Sequence, residues 1–334
     1  MTSGDGNDLT VVPVRHVGRW VGAFVALVAV AMLVHTLLSK VPSGTFICRT
    51  VAGVRHCRPR LEWRFFWNTV FHYFTSAEIL HGLVTTIELT VLAMAVGIVL
   101  GVVVAIMRRS TSRLLSGTAW TYTWFFRGTP VYAQLLFWFN ITALYKVITL
   151  GVPFVNVTFF SLNLNAFFTP FHTALVAFGL NEGAYMSEIA RSGLLAVDEG
   201  QTEAASSLGM TRSQTLRFVV LPQAMRVIIP PTGNEVISML KTTSLAASVS
   251  LTELLGAATN ISANNFEVMQ LLIVAGLWYL IVTTVLSIGQ FYLERHFARG
   301  ALRTPPPTPI ERLRRDLHGI LVKFPSRHVA AARR

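Results

Sequence analysis

The segment VDEGQTEAASSLGMTRSQTLRFVVLP, residues 197–222, is polar and lies between strongly apolar segments. Two capping-box patterns, Asp198-x-x-Gln201 and Thr211-x-x-Gln214, each predict the start of a helix. Gly209 lies between them, where a helix C-terminus favours a residue that tolerates positive φ. Pro222 is predicted to end the second helix, because proline has no backbone N–H to donate. The segment is therefore predicted to be a helical hairpin, and its small side chains let another protein surface approach closely.

The composition of the whole chain is that of a membrane protein. The chain has 334 residues, of which 52% are hydrophobic and 13% are charged, and its mean hydropathy is +0.54. Soluble domains carry about 25% charged residues. The formal net charge is +12, but the basic residues cluster at the ends of apolar segments and in the C-terminal tail. This placement indicates membrane topology rather than nucleic-acid binding.

Six apolar segments are long enough to cross a membrane as helices, so the fold is predicted to be all-α and polytopic. They are residues 20–38, 79–107, 131–150, 169–189, 226–249 and 270–292. Between them, the aromatic residues 114–126 are predicted to lie along the membrane interface.

The distribution of Lys and Arg sets the predicted orientation of these spans. Arg108, Arg109 and Arg113 mark a cytoplasmic loop, whereas residues 147–190 and 242–294 contain neither Lys nor Arg and are assigned to the outside. Both termini are then cytoplasmic. Six basic residues in the proposed outer loop 39–78 oppose this topology, which is retained because the other loops agree.

The two ends of the chain carry additional segments. Residues 1–19 are predicted to be a disordered cytoplasmic N-terminus, and residues 20–38 an extra transmembrane helix rather than a cleaved secretory signal. Residues 39–78 form an extracytoplasmic loop in which Cys48 and Cys57 are able to form a disulfide, although their spacing does not decide against two free thiols. Residues 297–334 are a basic cytoplasmic tail, predicted either to place an amphipathic helix on the inner leaflet or to be solvated.

The polar segment reproduces a known motif. Glu203-Ala204-Ala205, Gly209 and Val219-x-Leu221-Pro222 resemble the EAA loop of ABC-importer permeases, with valine in place of the usual isoleucine. Further motifs resemble the polar amino-acid branch of that family, and together they cover residues 79–296. They are Phe126-Arg127-Gly128-Thr129-Pro130, Ala184-Tyr185-x-x-Glu188-x-x-Arg191, Gln223-Ala224-Met225-Arg226, Gly233-Asn234-Glu235 and Lys241-Thr242-Thr243-Ser244-Leu245.

The resemblance implies a five-helix type I importer permease core, preceded in this chain by one extra span. It implies that the hairpin 197–222 couples this core to a separate ATPase subunit. The residues assigned to coupling are Gly200, Gln201, Glu203, Ala204, Ala205, Leu208, Gly209, Leu221 and Pro222. The implied partners are ATPase subunits, a second permease subunit (identical or different) and an extracytoplasmic solute-binding protein. The implied location is the bacterial inner membrane.

Polar residues within the predicted spans are candidates for the substrate path, because a charge at the bilayer centre costs roughly 2.5–3.5 kcal/mol or more. They are Glu88, Asn181, Glu182, Asn234, Glu235, Lys241, Thr243 and Ser244. Two hypotheses remain open: they bind a polar amino acid near the midplane, or they only hydrogen-bond neighbouring helices. The family-motif residues Arg127, Gly128, Thr129, Pro130, Glu188 and Arg191 are assigned structural roles, with Glu188 and Arg191 on one helix face.

No catalytic site is predicted in this chain. It contains no G-x-x-x-x-G-K-[ST] phosphate loop, no hydrolase motif and no zinc-ligand spacing, so no cofactor or metal is expected. ATP hydrolysis is expected in a partner. The predicted function is the permease subunit of an ABC importer for polar amino acids. The alternatives are an importer for another small solute, such as a compatible solute or an opine, and an ATP-independent secondary transporter.

Overall fold

The computed structural model describes residues 17–51, 54–63, 67–152 and 157–297. The chain divides into two compact units, Met1–Phe74 and Thr75–Arg334. Residues 1–16 of the predicted N-terminal segment and the basic tail from residue 298 onward lie outside the described residues. The prediction of disorder is wrong for residues 17–19, which form the start of the first helix, because their apolar neighbours continue the helical segment toward the N-terminus.

The first unit consists of two helices and a β-hairpin. Helix α1 is Val17–Leu38, strands β1 and β2 are Lys40–Val51 and Val54–Trp63, and helix α2 is Trp67–Phe74. The strands pair antiparallel, and Cys48 lies directly opposite Cys57 in the register. The predicted outer loop 39–78 is therefore structured over most of its length. Its β-branched and aromatic residues favour strands. The prediction of a loop considered only the polarity of the segment.

The second unit is mainly helical. Its helices are α3 (Ala77–Arg108), α4 (Arg113–Gly128), α5 (Val131–Leu144), α6 (Leu164–Phe167), α7 (Pro170–Leu195), α8 (Glu199–Ser207), α9 (Arg212–Gln214), α10 (Leu221–Thr242), α11 (Leu254–Asn265) and α12 (Val268–Phe297). A π-helical segment, Thr215–Val220, precedes α10, and a 3₁₀ segment, Thr243–Val249, follows it.

A second β-hairpin replaces the C-terminal end of the predicted span 131–150. Helix α5 ends at Leu144, and strands β3 (Val147–Val152) and β4 (Val157–Asn163) pair antiparallel. The fold is mostly helical, but the two hairpins depart from the all-α prediction. The apolar residues of the second hairpin have the same composition as a continuing span, so periodicity does not distinguish the two. The two neighbouring segments pair through their backbones and therefore form strands.

The prediction that Pro222 ends the second hairpin helix is wrong. Helical structure continues from Arg212 through the π-helical segment into α10, where Pro222 lies in the first turn. The N–H of Leu221 donates to the carbonyl of Leu216, which is a wider turn than that of an α-helix. A wider turn just before proline accommodates its ring and its missing donor, so the helix is not terminated. Helix α10 contains Pro230 and Pro231 as well.

The core of the second unit is a close contact between α3 and α7. A Cβ atom added to Gly97 would overlap Cγ of Glu182, and one added to Gly101 would overlap Cβ of Met186. Gly179 is similarly crowded, since its added Cβ would lie 2.8 Å from Cγ1 of Val96. Small residues at a helix interface allow the backbones to approach closely, which is the packing mode of membrane helices. Phe178 on α7 is fully buried in this core.

Two described helices are long and apolar enough to cross a membrane by themselves, namely Ala77–Arg108 and Val268–Phe297. Shorter apolar stretches occur at Gly22–Met32 and Val131–Leu144. Helices α7 and α10 carry buried or half-buried polar residues within their length, and such residues lower their hydropathy. Hydropathy and helix length therefore do not establish the predicted count of six spans.

Candidate functional sites

The hairpin at residues 197–222 is built on the predicted caps. Asp198 caps α8, its carboxylate accepting the N–H of Gly200 at 2.8 Å. At α9 the capping box is complete: the N–H of Thr211 donates to Oε1 of Gln214 at 2.8 Å, and the N–H of Gln214 donates to Oγ1 of Thr211 at 3.4 Å. Gly209 has φ of +76°, so the prediction of a left-handed residue between the helices is confirmed.

The first capping pattern forms differently from the prediction. Gln201 does not return to the cap; its Oε1 accepts a hydrogen bond from Nε2 of Gln223 at 3.2 Å. This bond joins the first hairpin helix to the start of α10. The hairpin is therefore linked by a side-chain hydrogen bond to the long helix that follows it.

The outer surface of the hairpin is exposed and its inner surface is packed. Leu208 at the turn is 82% exposed, and Glu203, Ala204 and Gly209 are exposed as well, whereas Ala205 is only 3% exposed. Among the other coupling candidates, Gly200, Gln201, Leu221 and Pro222 are exposed. Leu208 thus presents a large apolar side chain at the turn, among exposed small and polar residues.

A cleft of about 870 Å³ lies beside this surface. Its walls are the ends of α3 and α7 together with the hairpin, and its lining residues include Arg109, Leu194, Glu199, Glu203, Met210 and Arg212. The hairpin therefore offers a partner both a protruding apolar residue and an adjacent recess.

A charged cluster lies at the same ends of α3 and α7. Nη2 of Arg191 lies 2.6 Å from Oε2 of Glu188, and Nη2 of Arg108 lies 3.7 Å from Oε1 of Glu188. The guanidinium of Arg127 lies 5.2 Å from the ring centre of Tyr185. The predicted pair on one helix face is confirmed, and the contact from Arg108 extends it into a link between two helices.

The turn between α4 and α5 is held by a network of amides. Nε2 of Gln134 donates to the carbonyls of Phe126 and Thr129, at 3.0 and 3.1 Å, and to the Thr129 hydroxyl at 2.7 Å. Nδ2 of Asn181 donates to the same Phe126 carbonyl at 2.9 Å and to Oε1 of Gln134 at 3.3 Å. These contacts favour the structural hypothesis for Asn181, which attaches α7 to the turn 127–130.

Glu182, the next residue on α7, is placed differently. It is 4% exposed, and its Oε1 has no hydrogen-bond partner among the described residues. Glu235 lies on α10, which packs against α7, and is half-buried. Glu182 is thus a buried acid with one oxygen that has no partner in the described part of the chain, so it stays a candidate for the substrate path.

The remaining substrate-path candidates do not join this acidic pair in one cluster. Glu88 is exposed on α3, and Asn234 is exposed and accepts a hydrogen bond from Nε2 of Gln290 at 3.1 Å. Lys241 is exposed at the end of α10. Thr243 is buried and Ser244 is half-buried, but each hydroxyl donates at 2.7 Å to the backbone carbonyl three residues earlier in α10, those of Leu240 and Lys241. These hydroxyls are therefore occupied by local helix contacts.

One buried acid was missed by sequence reasoning. Glu253 is fully buried, and it caps α11 through the N–H groups of Leu255 at 3.0 Å and Gly256 at 2.8 Å. It also accepts from the hydroxyls of Thr86 on α3, at 3.3 Å, and Tyr279 on α12, at 2.9 Å. The available signal was its isolation, since it is the only acidic residue between Glu235 and Glu267. Four donors hydrogen-bond its two oxygens, so Glu253 links α3, α11 and α12.

The described residues contain no group of three or more His, Cys, Asp or Glu that could hold a metal ion.

The sequence of this chain matches a known family of membrane proteins. The family described as the binding-protein-dependent transport system inner membrane component matches residues 97–299, which is more than half of the chain. The chain belongs to this family. It is thus a membrane protein, and the resemblance inferred from the EAA motif is confirmed.

Individual relatives agree with the family assignment. The arginine transport system permease protein ArgU of Corynebacterium glutamicum is 43% identical over 293 residues, which are 87% of this chain and 84% of that protein. The L-cystine transport system permease protein TcyB of Bacillus subtilis is 38% identical over 219 residues, covering 65% of this chain and 86% of that protein. These relatives are transport permeases rather than enzymes.

A solved structure supports the fold. The crystal structure of an amino acid ABC transporter with histidines has a chain that is 30% identical to this one, with a TM-score of 0.59. The match covers 69% of this chain and 98% of that chain. The part of this protein without a counterpart there amounts to roughly a third of its length.

Proposed function

We propose that this chain is the membrane permease subunit of an ABC importer for polar amino acids. The observation that carries the proposal is the extent of the similarity to an arginine permease, 43% identity over 84% of that relative. The exposed hairpin gives the chain a surface for a separate ATPase, which the chain requires because it has no phosphate loop of its own.

The proposed organisation follows the sequence analysis. Residues 20–38 form an extra span, residues 79–296 form the permease domain with five spans, and both termini are cytoplasmic. Two permease subunits, two ATPase subunits and an extracytoplasmic solute-binding protein make up the transporter in the bacterial inner membrane. ATP binding closes the ATPase pair, and the hairpin 197–222 transmits this closure to α7 and α10, between which it lies in the chain.

The test of the function is uptake by the reconstituted transporter. Proteoliposomes containing this chain, its ATPase and its binding protein are expected to accumulate labelled L-arginine only when ATP is present on the side of the membrane that carries the ATPase. Competition by other amino acids, opines and compatible solutes then defines the substrate. Uptake of an opine or a compatible solute alone would replace the amino-acid assignment, and uptake without ATP would favour a secondary transporter.

We infer that Glu182, with Glu235 beside it, interacts with the cationic part of the substrate. Glu182→Gln keeps the size of the side chain and removes its charge, so the helix packing against Gly97 is retained. Loss of one charge-assisted hydrogen bond, worth about 1.5–3 kcal/mol, is expected to lower uptake by about tenfold to a hundredfold. The measurement is initial uptake rate against substrate concentration in proteoliposomes.

The matched control for this variant is Glu78→Gln. Glu78 lies in the first turn of α3 and is exposed, and the substitution makes the same chemical change. Uptake by this control should equal that of the wild type. If Glu182→Gln also transports at the wild-type rate while remaining folded, Glu182 has only a structural role.

The proposed orientation predicts a disulfide between Cys48 and Cys57. The two residues are directly opposite in an antiparallel pair, where Cα atoms lie about 4.5–5.5 Å apart, within the range that a disulfide spans. Outside the membrane, the two thiols would exchange with the disulfide of an extracytoplasmic thiol oxidoreductase. The protein loses two protons and two electrons, and the oxidoreductase is reduced to its dithiol.

Mass spectrometry of the protein purified with a thiol-blocking reagent should find one peptide pair joined at these cysteines. Cys48→Ser should leave Cys57 fully blocked by the reagent. Quantitative blocking of both cysteines in the wild type would contradict an oxidised hairpin and would place residues 40–63 in a reducing compartment.

A further inference from the structure

The hairpin β1–β2 lies in the part of the chain that precedes the permease domain. It begins two residues after the end of α1 at Leu38 and is followed by α2 from Trp67. Helix α1 is apolar around its circumference, with Phe24 and Leu27 both more than 60% exposed, as expected of a helix surrounded by lipid. The hairpin therefore starts at the end of a membrane span.

Helix α2 has the composition of a membrane-interface segment. Its sequence, WNTVFHYF, contains four aromatic residues in eight positions, and Phe71 is 73% exposed while Val70 is buried. Aromatic residues concentrate at the boundary between lipid and water. Both ends of the hairpin are thus joined to membrane-associated helices within the same unit.

The register divides the hairpin residues between two faces. Arg49 is paired with His56, and Ile47 with Arg58, so these positions share one face, to which Arg60 and Glu62 also belong by their alternation along β2. We call this face, with its three arginines, the basic face. The other face holds the Cys48–Cys57 pair, the aromatic residues Phe46 and Trp63, and two further basic residues, Arg55 and Lys40. Both faces of the hairpin therefore carry basic residues.

The charge of the hairpin is strongly positive. Residues 40–63 contain five Lys or Arg and a single acidic residue, Glu62. A strongly basic segment next to a membrane span attracts the headgroups of anionic lipid. We propose that the β1–β2 hairpin lies on the membrane surface and binds anionic phospholipid headgroups.

Lipid fits this surface better than a protein partner, because the hairpin lies in the chain between an apolar helix and a helix rich in aromatic residues, and because basic residues occur on both of its faces. The proposal does not depend on the transported solute, so it is tested independently of the proposed function.

Hydrogen exchange of the full-length protein in lipid nanodiscs tests the proposal. The backbone amides of residues 40–63 are followed in phosphatidylcholine alone and in phosphatidylcholine mixed with phosphatidylglycerol. Binding stabilises the paired form, so exchange through opening of the hairpin should be about tenfold slower in the mixed lipid. The difference should fall at high salt, because the interaction is electrostatic.

The variant Arg49→Gln/Arg58→Gln removes two charges from the basic face and should lose most of the lipid-dependent slowing. Lys146→Glu makes the same change in net charge at an exposed residue next to β3 and should retain it. The ratio of rates between the two lipids is compared, so a general effect of a substitution on hairpin stability cancels.

Three results would overturn the proposal. They are equal exchange of the wild type in both lipids, full lipid dependence in the double variant, and slowing that occurs only when a solute-binding protein is added. The last result would identify the partner of the basic face as a protein.

Discussion

Leu208→Glu is expected to detach the ATPase subunit from the purified transporter and to abolish ATP-driven uptake. Leu208 is 82% exposed at the turn of the hairpin, beside the cleft lined by Glu199 and Glu203. An apolar side chain in such a position can fill an apolar pocket on a partner. The glutamate of the variant would lose its hydration there without gaining a countercharge, which opposes binding. A loss of at least about 2 kcal/mol, or thirtyfold in affinity, follows.

The measurement is the ATPase activity and the subunit ratio of the complex purified through a tag on this chain. Thr111→Glu introduces the same side chain at an exposed position between α3 and α4, outside the hairpin, and should leave both quantities unchanged. Normal ATPase recovery with Leu208→Glu would mean that the turn of the hairpin is not part of the docking surface. Absence of ATPase from the wild type itself would reject the importer assignment.

Gly101→Ala is expected to disrupt the packing of α3 against α7 and to lower the thermal stability of the whole second unit. The added methyl group would overlap Cβ of Met186 and lie 2.9 Å from its carbonyl carbon, and a backbone atom cannot move aside as a flexible side chain does. Overpacking of this kind costs about 1–3 kcal/mol. The measurement is the melting temperature of the detergent-solubilised protein, followed by size-exclusion chromatography.

Gly117→Ala is the matched control, because a Cβ at Gly117 meets no atom within 4 Å. Alanine is favoured over glycine in a helix by about 0.5–1 kcal/mol, so this variant should be unchanged or slightly more stable. The two substitutions add the same methyl group to different helices. Equal melting temperatures would show that α3 and α7 are not held at the close distance described here.

Predictions from local sequence succeeded where the interactions are local. The cap at Asp198, the capping box at Thr211 and the positive φ of Gly209 depend on residues within a few positions of one another, and all three are present. The same holds for Glu188 and Arg191, which are three residues apart on α7. Such contacts form whatever the rest of the chain does, so the sequence pattern is sufficient to predict them.

Predictions about polar residues in the spans were less complete, because sequence shows that a polar residue is unusual without showing its partner. Asn181 and Glu182 are adjacent and were given one role, yet Asn181 donates to Phe126 and Gln134, whereas one oxygen of Glu182 has no hydrogen-bond partner within the described ranges. Their side chains leave the helix in different directions, and only neighbouring helices distinguish a hydrogen-bonded position from an unsatisfied one.

By itself, the sequence determined the membrane character, the capped hairpin and the family, since composition, short-range capping and ordered motifs are properties of the chain alone. The tertiary structure alone decided the continuation of the helix through Pro222 and the central place of Glu253. Glu253 meets Thr86 across 167 positions of sequence, and a wide π-helical turn accommodates Pro222. The contact of Glu253 depends on which helices pack together, and the helix through Pro222 depends on the geometry of the turn before it. Neither can be read from the residues next to Glu253 or Pro222 in the sequence.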